Sequence, residues 1–189
     1  MIMEEKSNSR TDVIMAGLGG MGVLMAGQIL AWSALKNYKH VSWLPSYGVE
    51  KRGGLCECMV IFSDQDIASP LIDRAQTVVV FDGSQLKTFE PRVLPGGMML
   101  VESAGLEDEQ ESRDYELVKI PGVEIAVSMG KRQVSNLILL GTYVSIMDTI
   151  PSELIEEELE RRFGTKKTIL EWNQKAFRQG LELGRNAKK

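Results

Sequence analysis

Two short stretches hold most of the residues in this chain that could handle a phosphorylated ligand: Gly17-Leu-Gly-Gly-Met-Gly22 and Ser46-Tyr-Gly-Val-Glu-Lys-Arg-Gly-Gly54. In the first, Gly17, Gly19, Gly20 and Gly22 follow the apolar run 12–16 and precede the apolar, small-residue stretch 23–35. That order is strand, tight turn, helix. The turn faces the unpaired N–H groups of the helix start, where the helix dipole also favours an anion. In the second stretch, which Ser46 begins, Lys51 and Arg52 stand beside Gly53 and Gly54. Two cations thus sit next to residues that let a ligand come close to the backbone. The glycines of the first stretch equally suit a turn that only lets a strand and a helix pack closely, and sequence alone leaves both readings open.

What is missing narrows the chemistry. Gly17, Gly19 and Gly22 satisfy G-x-G-x-x-G, but a dinucleotide fold also places an acid at the end of its second strand to hold the ribose. Here that strand ends Trp43-Leu-Pro-Ser46. No G-x-x-x-x-G-K-[ST] pattern occurs, which excludes a P-loop. The single histidine, His40, lies in the polar turn 37–40 and reads as a solvated residue with no acid or hydroxyl placed to use it as a base. Cys56 and Cys58 share one face of an alternating run and read as core thiols, and two cysteines without other ligands make a poor metal site. No catalytic residue and no metal site are therefore expected. Asp82 closes an apolar strand and reads as the cap of a helix starting near Ser84.

The chain has 189 residues, enough for one domain with a substantial core. Its formal net charge of −4 argues against nucleic acid as a partner. No run reaches the roughly 18 apolar residues of a membrane span, and residues 1–10 are polar, without the apolar core of a secretion signal. The expectation is a cytoplasmic protein with a frayed tail at 1–10 and a single domain at 11–189.

Those glycine loops need elements to hold them. Strand-like runs occur at 12–16, 41–44, 55–62, 77–81, 98–102 and 116–120, and 77–81 is solidly apolar like a central strand covered on both faces. Helical periodicity covers 22–36, 133–147, 152–163 and 165–183, the last with Thr165 as N-cap and Gly184 as stop. The acidic run 153–160 reads as a solvated helix face with Leu154, Ile155 and Leu159 turned inward. The pattern predicts an α/β fold, a Rossmann-like three-layer α/β/α sandwich with a C-terminal helical pair appended to its core. Residues 106–113, rich in Asp and Glu, read as a surface loop.

The order Gly17-Leu-Gly-Gly-Met-Gly-Val23, Ser46-Tyr-Gly-Val-Glu-Lys-Arg-Gly-Gly54, Ile67-Ala-Ser-Pro70, Asn136-Leu-Ile-Leu-Leu-Gly141 and Asn173…Ala176-Phe177…Gly180 resembles the gamma subunit of the 2-oxoacid:ferredoxin oxidoreductases. The likeness runs from about Thr11 to Gly184. Met21 stands where the family usually has Gln and Val49 where it usually has Pro, so roles that rest on that amide or that fixed turn do not carry over.

This resemblance implies a subunit of an enzyme that decarboxylates a 2-oxoacid on thiamine diphosphate, passes electrons through iron–sulfur clusters to ferredoxin, and forms an acyl-coenzyme A. Thiamine diphosphate is held by the alpha and beta partners in that family, and clusters in a delta module that this chain lacks, having no C-x-x-C-x-x-C run. The implied role is structural, inactive alone, with coenzyme A contacted through Gly17, Gly19, Gly20, Gly22, Ser46, Lys51, Arg52, Gly53 and Gly54. Implied partners are alpha and beta subunits, a delta subunit in some forms, ferredoxin through the complex, or a second copy of the chain; ten methionines and Trp43 suit such contact surfaces. Ser46-Tyr-Gly favours pyruvate, branched-chain and 2-oxoglutarate enzymes, and a separate short gamma chain tilts toward the latter two. Alternatives are a stand-alone coenzyme-binding module and, disfavoured by the missing acid, a dehydrogenase of Rossmann type.

Overall fold

A computed structural model describes residues 10–48, 53–107 and 112–187. The chain begins with β1 (Arg10–Leu18), α1 (Val23–Ala34), β2 (His40–Tyr47), β3 (Leu55–Ser63) and β4 (Ala75–Val80). A short helical passage at 83–92, which contains α2 (Leu86–Phe89), leads to β5 (Val93–Glu102) and β6 (Glu116–Ile120). Four helices follow: α3 (Gly122–Ser128), α4 (Ser135–Met147), α5 (Ser152–Phe163) and α6 (Lys167–Ala187).

The six strands form one sheet in the order β2-β3-β1-β4-β5-β6. β1, β4, β5 and β6 are parallel neighbours, while β3 runs antiparallel to both β1 and β2. β2 therefore points the same way as β1 but lies one strand away, with β3 inserted between them. Pairing Gly17 with Cys56 and Leu18 with Leu55 brings the start of β3 level with the end of β1.

Side-chain alternation divides the core in two. Val13 and Met15 of β1, with Cys56, Cys58, Val60 and Phe62 of β3, face a deep helical layer; Ile14, Ala16, Met59, Val78 and Val80 face Leu86 and Phe89 on the other side. The α/β class holds, but the two helical layers are unequal, since the second consists of little more than the passage at 83–92. Helix α4 is apolar on all sides, as a helix buried on all sides must be. Leu137 through Leu140 and Tyr143 are at most 1% exposed.

The C-terminal helices are not an appendage. Ile155 and Leu159 of α5, and Ala176 and Phe177 of α6, are fully buried in the main core. Neither terminal signal read for α6 holds: the helix begins at Lys167, with Lys166 O accepting from Ile169 and Leu170, and it runs through Gly184 to Ala187. Gly184 fits there because a Cβ would press on Ser145 of α4. The acidic face of α5 has one exception. Glu158 is 2% exposed and accepts from Arg161 at 2.7 Å, with Arg162 Nε 3.7 Å away. Helix α3 has no counterpart among the hydropathy-derived helices, since seven residues are too few to show a period.

Candidate functional site

The two glycine stretches meet. Past Leu18 the chain turns through Gly20 (φ 98°) into Gly22, which caps α1 at φ 79° with no side-chain hydrogen bond to the helix start. The first intrahelical bond runs from Ala26 N–H to Gly22 O at 3.0 Å, so the N–H groups of the first turn have no intrahelical acceptor. Gly19 N–H donates to Gly54 O at 2.8 Å. A helix start with open donors and a second backbone segment are thus tied together at the C-terminal edge of β1, where open α/β sheets receive ligands.

The named candidates have distinct placements. Gly17 is buried inside β1, and a Cβ there would lie 3.1 Å from Phe81 Cβ and 3.3 Å from Val23 Cγ2, a packing contact. Gly19 faces Gly53 and Gly54, while Gly20 and Gly53 are exposed. Ser46 is exposed on β2 opposite Glu57 of β3. Lys51 and Arg52 lie outside the described residues, as do most of the tail at 1–10 and residues 108–111 of the acidic loop.

Asn136, noted in sequence only as part of a resemblance, stands behind the turn. It is 1% exposed, donates from Nδ2 to Gly22 O at 3.4 Å, and keeps a buried Oδ1 without a partner. Glu102 gave no signal beyond its place at the end of an apolar run. It is 1% exposed and accepts from Ala104 N–H and Val123 N–H, both at 3.0 Å, which ties the end of β5 to the start of α3. Burial pushes its carboxyl up, and these backbone donors pull it partly back.

A cavity of about 250 Å³ opens on the α2 face beside the second loop, lined by Ser46, Leu55, Glu57, Thr88, Phe89 and Arg92 among others. Arg92 donates to Glu57 Oε2 at 2.8 Å, to Ile72 O at 3.2 Å and to Asp73 O, so all three guanidinium nitrogens are engaged. Among the described lining residues the two charges, Arg92 and Glu57, thus pair with each other.

Other residues take plain roles. Asp82 Oδ1 accepts from Ser84 N–H at 3.0 Å and Ser84 Oγ at 2.6 Å, the expected cap. His40 opens β2 rather than standing in a turn, with Nε2 3.3 Å from Asp66 Oδ1. Both cysteines are buried and free, and burial pushes the Cys58 thiol up to about 12. Trp43, taken as a contact-surface residue, lies in β2 with a buried indole nitrogen. The exposed large apolar side chains among the described residues are Trp32, Leu35, Leu55, Leu71, Val127 and Ile169, none of them methionine. Among the described residues no three His, Cys, Asp or Glu side chains group to hold a metal, and no helix is long and apolar enough to cross a membrane.

The sequence profile of the pyruvate ferredoxin/flavodoxin oxidoreductases matches residues 12–183. Ketoisovalerate oxidoreductase subunit VorA of Methanothermobacter marburgensis is 32% identical over 174 residues, 92% of this chain. The chain spans about a third of that relative, 36% of its length. In fold, it superposes on the 2-oxoglutarate:ferredoxin oxidoreductase of Magnetococcus marinus, solved with 2-oxoglutarate, coenzyme A and succinyl-CoA bound. The TM-score is 0.86 at 22% identity, covering 94% of this chain and 31% of the other. The keto/oxoacid ferredoxin oxidoreductase gamma subunit of Geobacter sulfurreducens superposes with a TM-score of 0.78 at 24% identity, over 93% of this chain and 99% of the other.

Proposed function

Since the chain belongs to the pyruvate ferredoxin/flavodoxin oxidoreductase family, we propose that it is the gamma subunit of a thiamine-diphosphate-dependent 2-oxoacid:ferredoxin oxidoreductase. It forms one domain over residues 11–189, works in the cytoplasm, and supplies no catalytic residue of its own. Alpha and beta subunits hold thiamine diphosphate, iron–sulfur clusters lie in partner subunits, and ferredoxin docks on the complex. The likeness to VorA favours a branched-chain 2-oxoacid as substrate.

The observation that carries the coenzyme A role is the bond between Gly19 N–H and Gly54 O, which sets the open helix start of α1 beside the second loop. The residues fit a phosphate-rich ligand: Gly19 N–H and Met21 N–H are bonded to Gly54 O and Leu18 O, so the donors offered are those of the first turn of α1, and Gly53 and Gly54 permit close approach. Lys51 and Arg52 would add charge-assisted bonds to the phosphates, with Ser46 at the loop's root. Gly17 shapes the turn from inside β1. Coenzyme A supplies the thiol that accepts the acyl group; this chain holds and orients the coenzyme.

Two measurements test the proposal. The purified chain, given thiamine diphosphate, coenzyme A and a 2-oxoacid, should reduce neither ferredoxin nor a viologen dye, whereas co-expression with its alpha and beta partners should restore turnover. Turnover by the chain alone overturns the subunit reading. In the complex, Lys51→Ala with Arg52→Ala should raise the KM for coenzyme A about ten-fold, equivalent to roughly 1.4 kcal/mol, and leave the 2-oxoacid KM unchanged. An unaltered coenzyme A constant assigns the loop to packing between subunits.

A further inference from the structure

The cations of the described surface are of two kinds. Lys36, Arg92, Arg113, Arg161, Arg162 and Arg178 each stand beside a carboxylate. Lys131, Arg132, Lys166, Lys167 and Lys175 are exposed and have no carboxylate partner among the described residues. This second group surrounds one aromatic side chain. Lys131 Nζ lies 5.9 Å from the centroid of the Trp172 ring and Lys175 Nζ 5.6 Å. Arg132 follows Lys131 in a passage that packs on α6, and Lys166 and Lys167 stand where that helix begins, with no acid in its first turn. The exposed acids of the same segments, 122–132 and 166–175, are Glu124 and Glu171. The face is therefore positive, on a chain whose net charge is −4.

Apolar groups share this face. Helix α3 closes through Gly130 at φ 83°, where Gly130 N–H donates to Val127 O at 2.8 Å and Lys131 N–H to Ala126 O at 2.9 Å. That turn sets Lys131 back beside Val127, which is 53% exposed. Ile169, 44% exposed, lies three residues before Trp172 and so on the same side of α6. An aromatic and apolar centre ringed by charge is the anatomy of a protein interface. In the chain by itself the arrangement is unfavourable: two ammonium groups share one ring, and Lys166 and Lys167 oppose the positive end of the α6 dipole. An anionic partner relieves both conflicts.

We propose that this face docks an acidic surface of a partner subunit, one that presents Asp and Glu side chains around an apolar centre. The inference rests on the gamma-subunit reading above. A second copy does not fit, because a two-fold contact through this face would set lysines against lysines. Nor does a bilayer, since Trp172 is half-buried against the core and offers a ring face, not a wedge that enters lipid.

Dilution of the co-expressed complex, followed by mass photometry, tests the idea. Lys131→Glu and Lys175→Glu should each raise the dissociation constant of this chain from the complex about ten-fold or more at about 50 mM NaCl. The excess should shrink at about 300 mM, where salt screens the pairing. Lys175→Arg should assemble like the native chain. Lys39→Glu, which makes the same change in net charge from the other edge of the sheet, should have no effect. Ile169→Ser should weaken assembly at both salt concentrations. Lysine reversals that assemble like the native chain, or that weaken it no more than Lys39→Glu does, overturn this surface and leave the gamma-subunit reading intact. So does a native chain that sediments with phosphatidylglycerol–phosphatidylcholine vesicles through Lys131 and Lys175 while the complex ignores both reversals. A native chain that never joins alpha and beta subunits overturns both readings.

Discussion

Alanine in place of Gly22 should destabilise the chain for two separable reasons. Gly22 sits at φ 79°, ψ 19°, a left-handed conformation that costs an L-residue about 1–2 kcal/mol. The added methyl would also lie 2.5 Å from Asn136 Nδ2 and 3.0 Å from its Cγ, where the amide is 1% exposed and has little room to turn away. Overpacking of that kind adds roughly 1–3 kcal/mol, so Gly22→Ala alone should lose about 2–5 kcal/mol. Asn136→Ala gives up one long hydrogen bond and some packing, and it also removes a buried oxygen that has no partner. Its own loss should be modest, about 1–2 kcal/mol. In the double variant the backbone strain persists but the clash is gone. The combined loss should therefore fall short of the sum of the singles by about 1–3 kcal/mol. Urea unfolding of the full chain, followed by tryptophan fluorescence with m values compared across variants, reads these differences directly. Additivity within roughly 0.5 kcal/mol would refute the reasoning, because it would mean that Asn136 yields freely and does not brace the turn.

Two further outcomes follow from buried groups elsewhere. A Cβ at Gly180 of α6 would run into Ile138 O and lie 2.9 Å from Gly141 Cα of α4, so backbone meets backbone and nothing flexible can give way; Gly180→Ala should lose about 3 kcal/mol or more, and a melting temperature within about 2 °C of the native chain would refute it. For Glu102, burial raises the folded pKa above the ordinary 4.5, so its contribution to stability is fully present below the unfolded pKa and is lost as pH rises through the folded one. The unfolding free energy of the native chain relative to Glu102→Gln should therefore shrink as pH rises above the ordinary carboxylate range, and a difference that stays level or grows would show that the backbone donors outweigh desolvation.

The strands were legible because each carries its own signal. Thr77 to Phe81 is apolar without interruption, and it became the strand between β1 and β5 in the sheet interior. The glycine stretches were legible as neighbours in purpose but not in space, since nothing local states that β3 pairs with β1. Only the ladder from Arg10–Ser63 to Leu18–Leu55 places Gly54 against Gly19. Helix ends were harder. Thr165 and Gly184 are good local signals, yet α6 starts after the first and runs through the second, where Gly184 packs against Ser145 and Thr142 of α4. Asn136, Glu102 and the Glu57–Arg92 pair were invisible for another reason. A polar residue gains its meaning from burial and partners, and those come from segments 21 to 114 residues away.

The missing ribose acid and the second glycine loop are one topological fact. In a dinucleotide fold the strand beside β1 is parallel to it and ends level with the glycine turn, so its last residue can present an acid to the ribose. Here β3 enters between β1 and β2 and runs the other way, so its first residues, not its last, stand level with the turn. The start of β3 is thereby delivered to the place where the acid would stand. At that place stands the returning backbone of Gly53 and Gly54, bonded to the turn through Gly19. The strand start behind it adds Leu55 and Glu57 to the cavity wall. An antiparallel insertion thus exchanges the place of a ribose-binding side chain for a second backbone segment. A dehydrogenase of Rossmann type uses a ribose contact at the place that this insertion occupies, and the gamma-subunit role proposed above needs no such contact.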